Sequence, residues 1–237
     1  MKKYKGIVSA SAAVLGLLAA AWFLSGPVSG TLGSDTGGAF AGETAPQIAA
    51  SETANAGTAE TASGFTINPE TGQDKYLTDA IPEGKPVPVE PQDVSLGNAE
   101  LTCILSINCA SILDNINRLD KEKVELVPEN GVILPPTEVT FIEGESVFDV
   151  LKNETRRQKI HLEFVSTPIY NSAYIEGINN FYEFDCGELS GWMYKVNGWY
   201  PNYGCSRYQL KDGDVVEWIF TCDLGRDIGG FNAAGSY

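Results

Sequence analysis

Residues 190–221, SGWMYKVNGWYPNYGCSRYQLKDGDVVEWIFT, decide the fold. The stretch opens with strand alternation, Trp192, Tyr194 and Val196 on one face and Met193 and Lys195 on the other. Asn197-Gly198 tolerates the positive φ angles of a type I′ turn, so a hairpin is expected to begin there. Asp212-Gly213 supplies a second turn. Residues 215–220 then read as a strand rich in β-branched and aromatic types, with Val216, Trp218 and Phe220 inward.

Upstream, residues 101–107 alternate, placing Leu101, Cys103, Leu105 and Ile107 on the inner face of a first strand. Residues 132–137 contain Pro135-Pro136 and read as a loop, followed by a second strand at 138–142 with Val139 and Phe141 inward. Ser146 and Asp149 have the spacing of a capping box, which predicts a helix start. Val147, Phe148 and Leu151 form its apolar stripe, and Arg156, Arg157 and Lys159 sit at its C-terminal end, where cations suit the dipole. A third strand is expected at 160–165, with Ile160, Leu162 and Phe164 inward, and a short one at 173–178. Two strands, a helix and further strands ending in the DGD-led strand indicate an α+β fold. The order is that of a β-grasp-like sheet with one packed helix, its last strand parallel to its first. This domain covers residues 99–225, and 226–237 form a glycine-rich tail.

The remainder of the chain differs in composition. Lys2, Lys3 and Lys5 precede an 18-residue apolar run at 7–24, so residues 1–30 read as an export signal, cleaved or retained as a membrane anchor. Residues 31–98 are Ala-, Thr-, Gly- and Pro-rich and repeat Glu-Thr-Ala at 43–45, 52–54 and 60–62. They read as a disordered acidic tether that buries too little apolar surface to offset its ordering entropy. The net charge of -15 offers no basic surface for phosphates, which excludes nucleic acid as a partner.

Four segments carry a resemblance to a known family: residues 140–151 (TFIEGESVFDVL), 173–180 (AYIEGINN), 191–198 (GWMYKVNG) and 208–218 (YQLKDGDVVEW). In these the chain resembles the transcobalamin-like C-terminal domain of bacterial surface proteins. The resemblance implies a β-grasp-like, non-enzymatic module. In animal cobalamin carriers such a domain closes over a corrinoid, so cobalamin or a related corrinoid is the cofactor the resemblance implies.

The chemistry-bearing residues agree with a non-enzyme. His161 is the one histidine and falls on the polar side of its strand, which removes Ser-His-Asp and Cys-His systems. No P-loop, G-x-S-x-G or G-x-G-x-x-G motif occurs. Aromatic density is the stronger signal. Trp199 and Tyr200 beside the hairpin turn, with Tyr203, Tyr194, Tyr170 and Asn171 around them, are the candidate ligand-binding residues. The partners expected are a small-molecule ligand or another envelope protein, with the membrane added if residues 7–24 are retained.

The five cysteines all follow residue 100 and lack zinc-knuckle spacing, so in an exported chain disulfides are expected. Parallel first and last strands would bring Cys109 to Cys222. A bridge from Cys186 to Cys205 would clamp the base of the hairpin, leaving Cys103 as a buried free thiol.

Overall fold

Why the chain needs two sheets is written in its burial pattern. In the computed structural model, which describes residues 65–230, β1 (Glu100–Asn108) buries Cys103, Leu105 and Ile107 and turns the intervening residues outward. A one-turn helix α1 (Ser111–Asp114) and two 3-10 turns lead to β2 (Val132–Ile142). Helix α2 (Val147–Gln158) precedes β3 (Leu162–Thr167), β4 (Ser172–Ile178) and the two-residue β5 (Phe181–Tyr182). The chain closes with β6 (Gly191–Val196) and β7 (Asp214–Thr221).

The larger sheet has the order β2-β1-β7-β6, and the smaller one β3-β4-β5. The last strand lies parallel to the first, with Leu105 beside Val216 and Ile107 beside Trp218. Every other pairing is antiparallel. Leu105, Ile107, Val216 and Trp218 meet Val147, Val150 and Leu151 of α2 in the main core. Each such side chain gains about 2 kcal/mol on leaving water. A second, smaller cluster gathers Ile112, Leu119, Phe181 and Phe220 with Cys109, Cys186 and Cys222. The architecture is α+β.

Six expectations need correction. The proline loop is strand: β2 runs through Pro135 and Pro136, which bulge opposite Ser106 where the register steps from Leu105↔Thr137 to Ile107↔Leu134. Because β2 is an edge strand, the missing N–H groups cost no ladder bonds. The helix stripe is Val147, Val150 and Leu151, with Phe148 only half-buried. In β3 no alternation of burial survives, and Phe164 is 42% exposed instead of inward; the register shift at Glu163–Phe164 leaves Glu176 of β4 as the extra residue.

The Asn197-Gly198 turn forms, with φ of 49° and 77°, yet no second hairpin strand follows it. After Trp199 the chain makes a long excursion, and β6 pairs with β7 instead. The fifth correction concerns the tether. Residues 1–64, holding the export segment and half of that tether, lie outside the described residues, as do 231–237. Residues 74–90, however, are packed: Asp74, Thr78 and Glu90 are buried. Acidic, proline-rich composition signals solvation only where the acids lack a buried cation, and here Arg207 provides one. Nor does the tail begin at 226, since a 3-10 turn at Arg226–Ile228 packs onto the body.

Among the described residues no helix is long and apolar enough to cross a membrane.

Candidate functional site

The six residues singled out by sequence separate into two places. Tyr194 and Tyr203 are core: the Tyr194 hydroxyl donates to the Tyr203 carbonyl at 2.8 Å, and the Tyr203 ring stacks on Tyr208 at 6.0 Å. Burial pushes both phenols above their ordinary pKa. Trp199 packs edge-on to Tyr203 at 6.1 Å, and the Lys85 ammonium lies 5.5 Å from its ring centre. Tyr200 donates to the Ile228 carbonyl at 2.9 Å. The aromatic surface beside the turn is therefore covered by the chain's own flanking segments, residues 79–86 on one side and 225–230 on the other. Tyr170 and Asn171 lie apart from these four, at the turn between β3 and β4.

Arg207 holds the covering segment in place. It is 1% exposed, and its Nη2 donates to Asp74 Oδ2 at 2.5 Å and to Glu90 Oε1 at 2.7 Å. Nη1 donates to Thr78 Oγ1 at 2.6 Å, and the guanidinium lies over the Tyr76 ring. One fork thus fixes a strap spanning residues 74–90. Its carbonyl adds a backbone bond, accepted from Val89 N–H at 2.9 Å.

Where the strap ends, a groove begins. Its volume is about 320 Å³, and it runs between the N-terminal end of α2, strands β3 and β4, and Ser206. Phe148 and Phe164 form one wall, edge-to-face at 4.8 Å. Pro91 and Ala173 add apolar surface, while Ser146, Ser166, Ser172, Ser206, Asp149 and Asn171 supply polar atoms. Ser146 and Asp149 are committed to each other in the capping box. Asn171 is committed on one side only: its Nδ2 donates to Glu90 Oε2 at 2.5 Å and to Gln92 Oε1 at 3.0 Å. With both amide hydrogens taken, its Oδ1 is oriented as an acceptor.

The remaining polar groups are structural. His161 is exposed, 5.9 Å from the Tyr182 ring. Tyr182 donates to Glu163 at 2.7 Å, and Tyr174 donates to Glu183. Burial, then the charges of Glu163 and Glu183, raise the Glu176 carboxyl above its usual range. Asp185 pairs with Lys123 at 2.6 Å and Glu217 with Lys195 at 2.8 Å. Asp214 accepts from the Lys211 N–H within the turn, and Asp212 accepts from the Thr102 N–H of β1. Among the described residues no three His, Cys, Asp or Glu are grouped to hold a metal ion.

All five thiols are free and buried. Cys205 lies with Cys103 in the main core and Cys186 with Cys109 and Cys222 in the smaller cluster, so a Cys186–Cys205 bridge is not supported. The inference failed with the hairpin strand on which it depended.

Sequence reasoning also missed Glu90, Pro91, Gln92, Ser206 and Arg207. One signal was available for Arg207: a lone cation in the apolar-aromatic run YGCSRYQL must either reach solvent or bring buried acids to it.

A family profile described as a domain of unknown function (DUF4430) matches residues 144–221, which contain α2 through β7 and most of the groove. No curated protein matches the chain. Among solved structures, haptocorrin in complex with Cbi is similar at 14% identity and a TM-score of 0.39, covering 53% of this chain and 26% of its own. The chain thus spans about a quarter of the length of haptocorrin. A candidate metal-binding protein from Ruminococcus gnavus ATCC 29149 is similar at 14% identity and a TM-score of 0.30, covering 51% of this chain and 96% of its own. At this similarity neither structure assigns a ligand to the chain.

Proposed function

We propose that this protein is an exported, surface-tethered and non-enzymatic binding module, and that its ligand enters the groove beside Asn171. The supporting observation is the Asn171 amide, whose donors are both held by Glu90 and Gln92, so that an oriented acceptor sits beside an apolar wall. That pairing suits a small molecule with a flat or apolar face and N–H or O–H donors at its rim. A corrinoid has this chemistry, an apolar macrocycle fringed by amides, and a groove of about 320 Å³ would take one edge of it. Export rests on the basic and apolar N-terminal segment.

Calorimetric titration of the purified protein with cobinamide and with simple sugars tests the reading. Asn171→Ala is expected to weaken whichever ligand binds by tenfold or more, equivalent to about 1.4 kcal/mol, in a variant that still unfolds in one cooperative transition. Equal affinity in the variant would remove the groove as the site.

A second reading is favoured by the tip of the β3–β4 hairpin, where Ile169 is 61% and Tyr170 50% exposed. Such a tip suits a protein or glycan partner of the cell envelope.

A further inference from the structure

The end of the large sheet opposite the Asn197-Gly198 turn gathers three of the five cysteines. The parallel register sets Asn108 beside Ile219, so Cys109 and Cys222 both lie just past the strand ends. Gly191 pairs with Thr221, which brings the loop containing Cys186 over the same end. All three side chains are fully enclosed, packed with Ile112, Leu119, Phe181 and Phe220. Within the cluster the thiols are not equivalent. Cys186 and Cys222 lie against each other in the cluster, and the Cys222 thiol also reaches Ser111 Oγ at 3.8 Å. Arg118 stands over this pair: its Nη1 donates to the Cys222 carbonyl at 3.3 Å, and its guanidinium crowds Gly187, the residue after Cys186. Cys109 is a neighbour of Cys222 on the β1 side of the cluster, its N–H donating to the Gly131 carbonyl at 2.7 Å.

We propose that Cys186 and Cys222 are joined by a disulfide in the exported protein, and that Cys109 stays reduced beside them. The oxidant is a disulfide of the export compartment, on a small thiol or a carrier protein. Cys222 as thiolate attacks one sulfur of that disulfide, forming a mixed disulfide and expelling one thiolate. Cys186 loses its proton and attacks the Cys222 sulfur, expelling the second thiolate; both expelled thiolates are then protonated. Two protein thiols become one disulfide, and the oxidant's disulfide becomes two thiols. Since the sulfurs are enclosed in the folded core, the exchange belongs to folding and precedes closure of the cluster.

The acidities follow the same division. In the closed cluster the neighbouring Cys186 thiol lowers the Cys222 pKa, and Cys186 is itself raised. Burial, then the charge of Cys222, pushes Cys109 up to about 12. Burial likewise holds Cys103 and Cys205 up to about 12 in the other core cluster. One bridge and three reduced thiols account for the odd cysteine count.

The test is to refold the full chain from urea in a glutathione redox buffer, alkylate free thiols and map the peptides without reduction. A single linked pair containing Cys186 and Cys222 is expected, with Cys103, Cys109 and Cys205 alkylated. A Cys109–Cys222 or Cys186–Cys205 link, or five alkylated thiols, would overturn the proposal. Cys109→Ala is expected to keep the link at the wild-type yield, and its loss in a variant that folds would also overturn it. Should that variant not fold, the wild-type map decides alone.

Discussion

Arg207 is the residue through which most of the unexpected structure passes. A guanidinium removed from water needs its charge and its donors met, and Asp74, Glu90 and Thr78 meet those of Nη1 and Nη2, leaving only the buried Nε without a partner. Replacing it by methionine keeps much of the volume and leaves two carboxylates buried without a cation. Arg207→Met is therefore expected to cost about 3–5 kcal/mol, as measured by urea unfolding. A loss below 1 kcal/mol would mean that the two acids reach water when the arginine is gone. Local sequence marks Arg207 as a cation in an apolar run but cannot name its acids: Glu90 lies 117 residues away, and a composition window sees only an acid among prolines.

Helix α2 shows the opposite case, in which the local rule and the structure agree. Ser146 and Asp149 close the capping box, three residues apart, just as their spacing predicts. Ser146→Ala is expected to cost about 1 kcal/mol near neutral pH. Burial favours the neutral acid at Asp149, but hydrogen bonds from Ser146 and Lys152 outweigh it and hold the carboxyl below its usual range. A folded pKa below the unfolded one stabilises the fold above the unfolded value of about 4, and that stability is lost as pH falls through the folded value. The gap between wild type and Ser146→Ala should accordingly narrow as unfolding is followed from pH 7 down to pH 3. A constant gap would show that the serine acts by packing alone. Strands were legible where one face is buried, as in β1 and β7, and illegible where the register shifts, as at Glu163–Phe164 and at Pro135-Pro136. The candidate site fared less well for the same reason. Aromatic density marked Trp199 and Tyr203 but could not say which segment covers them, whereas Asn171 was marked and does line the groove.

For the molecule as a whole, the strap moves the start of the packed body from residue 98 to at least residue 74. Brief proteolysis should leave a resistant fragment that begins N-terminal to Asp74, and the same digestion of Arg207→Met should cut between 74 and 93. Early cleavage of the wild type near 98 would refute the clasp. The strap also has a mechanical meaning. A pull on the chain from its N-terminal side would reach the Asp74–Arg207 bond before any strand, and the sheet would feel no load while that bond held. Once it yielded, the load would pass through Thr78, Pro86 and Val89 before it came to Glu90, which grips both Arg207 and the Asn171 amide. Stretching the N-terminal segment would thus slacken one wall of the groove while leaving the β1–β7 pair untouched, so that a domain held under tension and one hanging free would present different pockets to the same ligand.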